Sequence, residues 1–245
     1  MTNSIEIKGL RKAFGDKIAV DDLSLEIPRG SLYALLGVNG AGKTTTIRML
    51  TGLTAPTRGE ACIMGHNIVT ESDEVKKLVN ISPQETSVAP NLTVRENLEF
   101  IAGIYGIPKK DLKERVEQII KQFAMEEVVN QKAKTLSGGW QRKLNIAMAL
   151  ITEPEVLFLD EPTLGIDVLA RRELWREIEA LKGKITIILT THYMEEAEML
   201  ADEIAIMAKG QLLATGTPRE LKEQTHTNRL EDAFVKIVEG TAYEE

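Results

Sequence analysis

The chain has 245 residues, 43% of them hydrophobic and 27% charged, with an excess of acid that leaves a formal net charge of -7. That length and apolar fraction suffice for a sizeable core without a metal or a disulfide, so a soluble globular protein of one or two domains is expected. Its lysines and arginines fall in scattered pairs such as Lys76-Lys77, Lys109-Lys110 and Arg171-Arg172, not in the one-sided stripe that duplex binding demands, and no nucleic-acid partner is expected.

The single cysteine, Cys62, leaves no internal disulfide and suits a reducing cytoplasm. Within the apolar run ACIM it reads as a core thiol rather than a nucleophile. The start, MTNSIEIKGL, has neither the basic end nor the apolar centre of a leader. The most apolar stretch, Ile185 to Leu189, is far short of the ~20 residues needed to cross a bilayer. Any membrane role is therefore expected to come through a partner.

In chain order, residues 5 to 36 read as strands broken at Gly15-Asp16 and Pro28-Arg29-Gly30. A glycine loop follows, then a helix from Lys43, the β-like stretch GEACIMGHNI, a short charged helix and the strand LVNIS ended by Pro83. From Thr93 the period changes. Val94, Leu98, Ile101 and Tyr105 recur at helical spacing behind a Thr93/Glu96 capping box, and Leu112, Val116, Ile119, Ile120 and Phe123 stripe a second helix behind Asp111. After Pro154 strands and helices alternate: strand VLFL, helix 168 to 181, strand ITIILT, helix 193 to 201, strands EIAIMA and QLLAT, then two terminal helices. The pattern predicts an α/β fold, with a parallel core, an antiparallel N-terminal sheet and a helical insertion over 85–153 between core segments 1–84 and 154–245.

Residues 37 to 44, GVNGAGKT, fit GxxxxGK[ST] between a strand and a helix, the context that defines a P-loop. Glycines let successive backbone N–H groups face phosphate oxygens, and the helix N-terminus adds its partial positive charge. Gly37, Asn39, Gly40, Ala41, Gly42, Lys43, Thr44 and Thr45 are thus the candidate nucleotide contacts. Lys43 supplies a full charge to the phosphates, and the Thr44 hydroxyl is a candidate Mg²⁺ ligand.

EVLFLDEP ends an apolar strand on Asp160 and Glu161, where side chains leave the core beside phosphate-carrying loops. Asp160 is the metal candidate and Glu161 the candidate base that orients and deprotonates water. His192, just past ITIILTT, can donate a hydrogen bond to a phosphate, or it can be a satisfied structural histidine. Gln84, after Pro83, can reach the metal or its water, though a loop glutamine is commonly only solvated.

A second helix start, LSGGWQRK over 136 to 143, has Ser137 as a good N-cap and buries Trp140, Leu144, Ala147, Met148 and Ile151 on one face. Capping explains the serine. It does not explain Gly138 and Gly139, since a glycine costs about 1 kcal/mol in a helix interior, though less in the first turn.

These segments, taken in order, resemble the ATP-binding-cassette ATPases over essentially the whole chain: GVNGAGKTT (Walker A), Gln84 (Q-loop), LSGG (signature), VLFLDEP (Walker B), LGID ending in Asp167 (D-loop) and TTH ending in His192 (switch histidine). The resemblance implies a P-loop NTPase core over a single cassette, 1–245, without the C-terminal regulatory domain of some sugar-importer relatives. It implies ATP and Mg²⁺ as ligands and two cassettes paired head to tail, with Ser137, Gly138 and Gly139 capping the γ-phosphate in the other copy's P-loop. By the same likeness Phe14 stacks on adenine, and Asp167 links the two sites. Trp140 replaces the usual glutamine of LSGGQ, which implies a weaker polar contact to the opposing nucleotide.

The ending LEDAFVKIVEG is similar to cassettes that drive exporters with separate membrane subunits, antibiotic and sodium efflux systems included. The partners so implied are a second ATPase subunit, a homodimer being expected, and an integral membrane permease that would hold the protein at the inner face of the cell membrane. A rival reading, a cassette acting on ribosomes or DNA, implies two cassettes in one chain, a long coiled-coil insertion, zinc cysteines or a basic face, and the sequence has none of these.

Overall fold

The computed structural model describes residues 3–240. Two long strands, β1 (Asn3–Phe14) and β2 (Lys17–Pro28), form a hairpin, and β3 (Leu32–Leu36) leads into α1 (Lys43–Leu50). β4 (Arg58–Ile63), β5 (His66–Asn67), α2 (Ser72–Leu78) and β6 (Val79–Ser82) follow. Three helices come next: α3 (Val94–Ile104), α4 (Lys109–Gln122) and α5 (Gly138–Leu150). The rest alternates as β7 (Val156–Asp160), α6 (Val168–Glu179), β8 (Thr186–Thr191), α7 (Met194–Leu200), β9 (Glu203–Ala208), β10 (Gln211–Gly216), α8 (Pro218–Gln224) and α9 (Leu230–Gly240).

The strands form two sheets, β2-β1-β4-β5 and β10-β9-β3-β8-β7-β6. The first is antiparallel throughout; the second is parallel except for β10, which pairs antiparallel with β9 as an edge hairpin. β3, although contiguous in sequence with the N-terminal hairpin, leaves it and pairs in parallel with β8 and β9. Its apolar run LYALL suits that place, because a strand covered on both faces needs no polar alternation.

The period of two along the central strands divides the interior. Leu32, Ala34 and Leu36 of β3, Leu157 and Leu159 of β7, and Ile187 and Leu189 of β8 face a core shared with the helices. Tyr33, Leu35, Val156, Phe158 and Ile188 face a second core, closed by Ile5, Ile7 and Leu10 of β1, Leu23 and Ile27 of β2, and Ile47 of α1. The N-terminal sheet is thus the lid on one face of the central sheet, and most helices cover the other.

The Thr93/Glu96 capping box forms at the start of α3, with Glu96 N–H donating to Thr93 Oγ1 at 3.2 Å and Thr93 N–H to Glu96 Oε2 at 2.8 Å. Other local expectations need correction. α4 begins one turn earlier than Asp111 would set it: Pro108 takes the N-cap place, and Asp111 lies in the first turn, where its charge suits the helix dipole. Cys62 is only half-buried, because on β4 its neighbours Ala61 and Ile63 take the inward face. The α5 stripe is wider than its sequence suggests. Residues Arg142 to Leu150 are all buried, whereas Trp140 is only partly so.

Candidate active site

β3, β7 and β8 end side by side, and the loops leaving them carry the polar groups. Asp160, the last residue of β7, pairs in register with Thr190 of β8. Thr190 Oγ1 donates to Asp160 Oδ1 at 2.5 Å, and Thr44 Oγ1, from the first turn of α1, donates to the same oxygen at 3.1 Å. Glu161 turns away from the strand in a left-handed backbone conformation, φ 49°, which costs a residue with a Cβ free energy and calls for local support. Both oxygens of Thr190 provide it, each accepting from the Glu161 N–H at 3.1 Å.

The Glu161 carboxylate then lies between two bases. Lys43 Nζ is 3.3 Å from Oε1, and His192 Nδ1 is 2.7 Å from Oε2. Lys43 also donates to the carbonyls of Gly37 at 2.7 Å and Val38 at 3.3 Å. Lys43, Asp160 and Glu161 are each about 95% buried, so each charge has lost most of its water and depends on these partners.

Two glycines are fixed by crowding. A Cβ at Gly37 would stand 2.4 Å from the Met207 carbonyl oxygen, and one at Gly42, which also has φ 105°, 2.7 Å from that of Ala19. The cavity over the loop is lined by Lys17, Ala19, Asn39, Gly40, Ala41, Gly42, Lys43, Thr44, Thr45, Gln84 and Glu161. A concave surface of backbone N–H groups and two lysines, at the start of a helix, suits a polyphosphate.

The profile of the family described as ABC transporter matches residues 20–164. The chain belongs to that family. Among similar proteins, the probable multidrug ABC transporter ATP-binding protein YbhF of Escherichia coli is 38% identical over 96% of this chain. The chain spans only 41% of that relative's length. The daunorubicin/doxorubicin resistance ATP-binding protein DrrA of Streptomyces peucetius is 40% identical over 95% of this chain and 72% of its own. A solved structure described as the ATP binding subunit of an ABC transporter superposes with a TM-score of 0.85 at 29% identity, covering 97% of this chain and all of the other. The fold is that of the ATP-binding subunit of an ABC transporter.

Within this ABC cassette the structure brings together the Walker A loop, both Walker B carboxylates, His192 and Gln84. Ser137, Gly138 and Gly139 are not among the residues lining that cavity. Ser137 Oγ caps α5 by accepting from Trp140 N–H at 3.4 Å. The two glycines differ: a Cβ at Gly139 would be 2.8 Å from that of Ala170 on α6, whereas one at Gly138 meets no atom within 4 Å. Asp167 caps α6, with Oδ1 accepting from the N–H groups of Leu169 and Ala170, each at 3.0 Å. These bonds, that of Ala170 foremost, hold its carboxyl below the usual range. Phe14 lies at the β1–β2 turn, 53% exposed and off the cavity wall, with Lys12 Nζ 4.9 Å from its ring centre.

Four residues of the site escaped the sequence reading. Lys17 and Ala19 reach the cavity because β2 passes over the loop, a long-range contact without a local motif. Arg142 donates to the carbonyls of Pro83 at 2.9 Å and Gln84 at 2.7 Å, fixing the Gln84 backbone from within α5. The sequence carried no signal for it, because the burial of Arg142 comes from packing and not from the local pattern. Thr190 was legible only as a hydroxyl near a strand end, two residues before His192. Replacing it in Thr190→Val keeps the shape but removes the short bond to Asp160 and one of the two acceptors of the Glu161 N–H. Urea unfolding of that variant should show a loss of about 1–3 kcal/mol, with slower ATP turnover; wild-type stability would remove the Thr190 hydroxyl as a support of the Asp160 carboxylate and the Glu161 backbone.

Proposed function

We propose that this chain hydrolyses ATP as one of two paired cassettes and drives export through separate membrane subunits. The observation that carries the catalytic part is the Glu161 carboxylate, buried at the end of β7 between Lys43 at 3.3 Å and His192 at 2.7 Å, with Asp160 beside it bonded to Thr44.

On this reading the backbone N–H groups from Gly40 to Thr45 and the Lys43 ammonium bind the β- and γ-phosphates, which take the place of the acceptors that Lys43 now holds. Glu161 orients a water molecule and accepts its proton as the water oxygen bonds to the γ-phosphorus and the bond to the β,γ-bridging oxygen breaks, giving ADP and phosphate. His192 steadies Glu161 and donates to the γ-phosphate. Thr44, Asp160 and Gln84 would hold Mg²⁺. The hydroxyl and carboxylate oxygens of the first two, 3.1 Å apart, are the hard donors that this ion takes, and Gln84 lies on the same cavity wall. Bound there, the ion supplies neutralisation of charge on the β- and γ-phosphate oxygens.

Pairing is supported by the open space at Gly138. The fold itself requires no glycine there, and a first helical turn left uncovered suits a phosphate brought by a second copy. Two identical chains are proposed, each lending Ser137, Gly138 and Gly139 to the other's nucleotide, with Asp167 between the sites and Phe14 against the adenine.

A membrane partner is supported by the absence, among the described residues, of a helix long and apolar enough to cross a membrane, and by the exposed Phe100, Ile104 and Tyr105 on or just after α3. We assign residues 85–153 as the segment that meets this partner and 1–84 with 154–245 as the catalytic core. Export is inferred from the drug resistance that the daunorubicin relative's name states. The protein would then lie at the cytoplasmic face of the membrane.

With the carboxylate neutralised in Glu161→Gln, ATP should still bind while turnover falls by about 10²–10⁴, the usual worth of a general base; full turnover would remove Glu161 from that role. Ser137→Arg should retain ATP binding in the monomer yet lose hydrolysis, and mixing it with Glu161→Gln should restore one competent site, so a fully active Ser137→Arg enzyme would count against capping in trans. Purified from its native membranes in mild detergent, the protein should carry an integral membrane subunit in stoichiometric amount; recovery without one would defeat the transport reading.

A further inference from the structure

We propose that Tyr193, braced by Arg171, is a positioning residue that sets the orientation of the His192 imidazole; the proposal rests on the role given to His192 above. The His192 ring has one hydrogen-bond partner among the described residues, Glu161 Oε2 at 2.7 Å. A single bond leaves rotation about the terminal side-chain torsion broad. The Tyr193 ring closes that freedom, lying 4.2 Å from the imidazole centre at an angle of 39°, within the range of an aromatic contact.

Tyr193 occupies the N-cap place of α7, yet its side chain makes no capping bond, and tyrosine is not among the residue types that favour that place. The ring is therefore there for a reason other than starting the helix. Arg171, on α6, lies over the same ring with its guanidinium carbon 5.1 Å from the centre. Its Nε is buried and has no hydrogen-bond partner, so the tyrosine face is what receives this side of the cation.

One turn further along α6, Trp175 Nε1 donates to Glu196 Oε1 at 3.1 Å, and Thr163 Oγ1, from the loop after Glu161, donates to the same oxygen at 2.8 Å. Glu196 lies one turn beyond Tyr193 on α7 and is fully buried. Two contacts one turn apart on each helix thus fix α7 against α6. Arg171 with Tyr193 forms the end next to the histidine, and Trp175 with Glu196 anchors the other.

The experiment combines steady-state hydrolysis with proton NMR of the imidazoles. The chain has three histidines, so His192 is assigned by the signal missing from His192→Ala. Tyr193→Ala and the volume-filling Tyr193→Leu should lower kcat by about tenfold with KM for ATP within about twofold, because only transition-state positioning is lost. Tyr193→Phe keeps the ring face and should stay within about twofold of wild type, with Arg171→Met in between. The His192 resonance should move in Tyr193→Leu and stay in place in Tyr193→Phe, since the ring current goes with the ring. Wild-type kcat in Tyr193→Leu, or a Phe variant as slow as the Leu variant, would overturn the proposal. A fully active His192→Ala would instead remove the reading beneath it, whereas an inactive His192→Ala beside a fully active Tyr193→Leu would sink this inference alone.

Discussion

Lys43, Asp160 and Glu161 are charged side chains that the fold has taken almost wholly out of water, and the rest of the site follows from how that cost is met. Each depends on partners contributed by other segments: the Gly37 and Val38 carbonyls hold Lys43, the Thr44 and Thr190 hydroxyls hold Asp160, and Lys43 with His192 holds Glu161. Removing one partner leaves a buried charge exposed to the low-dielectric interior, which is worse than removing both. The same desolvation that makes the cluster costly makes its charges effective at a phosphate, because little water is left to screen them.

What brings the partners together is direction. β3, β7 and β8 run parallel, so their C-terminal ends share one edge of the sheet, and a loop following any of them opens onto the same crevice. Had one of them been antiparallel, its carboxylate or its histidine would have left the sheet at the far edge. The antiparallel partner in this sheet is β10, at the outer edge beyond β9, where it contributes nothing to the crevice.

α5 connects the two glycine sites of the chain by a different route. Its first turn holds Ser137, Gly138 and Gly139; a little more than one turn later Arg142 grips the backbone of Pro83 and Gln84, and Asn145 Nδ2 donates to Ser82 Oγ at 2.8 Å. On its other side Gly139 admits Ala170 of α6 at a distance that a side chain would not allow. One rigid helix therefore carries the uncovered N–H groups and also sets where Gln84 stands against the P-loop.

Motifs made of neighbouring residues were legible in the sequence. The P-loop, the strand ending in Asp160 and Glu161, the Ser137 cap and the Thr93/Glu96 capping box all depend on φ/ψ preferences and hydrogen bonds within a few positions, and spacing alone exposes them. Neither the burial of α5 on all sides nor the half-buried state of Cys62 could be read that way, because a helix or strand has the same local pattern whichever face its neighbours later cover. Lys17, Ala19 and Arg142 were missed for a related reason: their meaning lies in a loop far away in the chain. The sequence by itself determined which segments hold phosphate-binding and carboxylate chemistry, since that chemistry needs particular side chains at short range. Only the tertiary structure decided that Thr190 supports the Asp160 carboxylate and the Glu161 backbone, that Tyr193 and Arg171 stack beside His192, and that LSGG stands outside this chain's own cavity, because those relations are set by strand order and helix packing, which pair residues with no fixed separation along the chain.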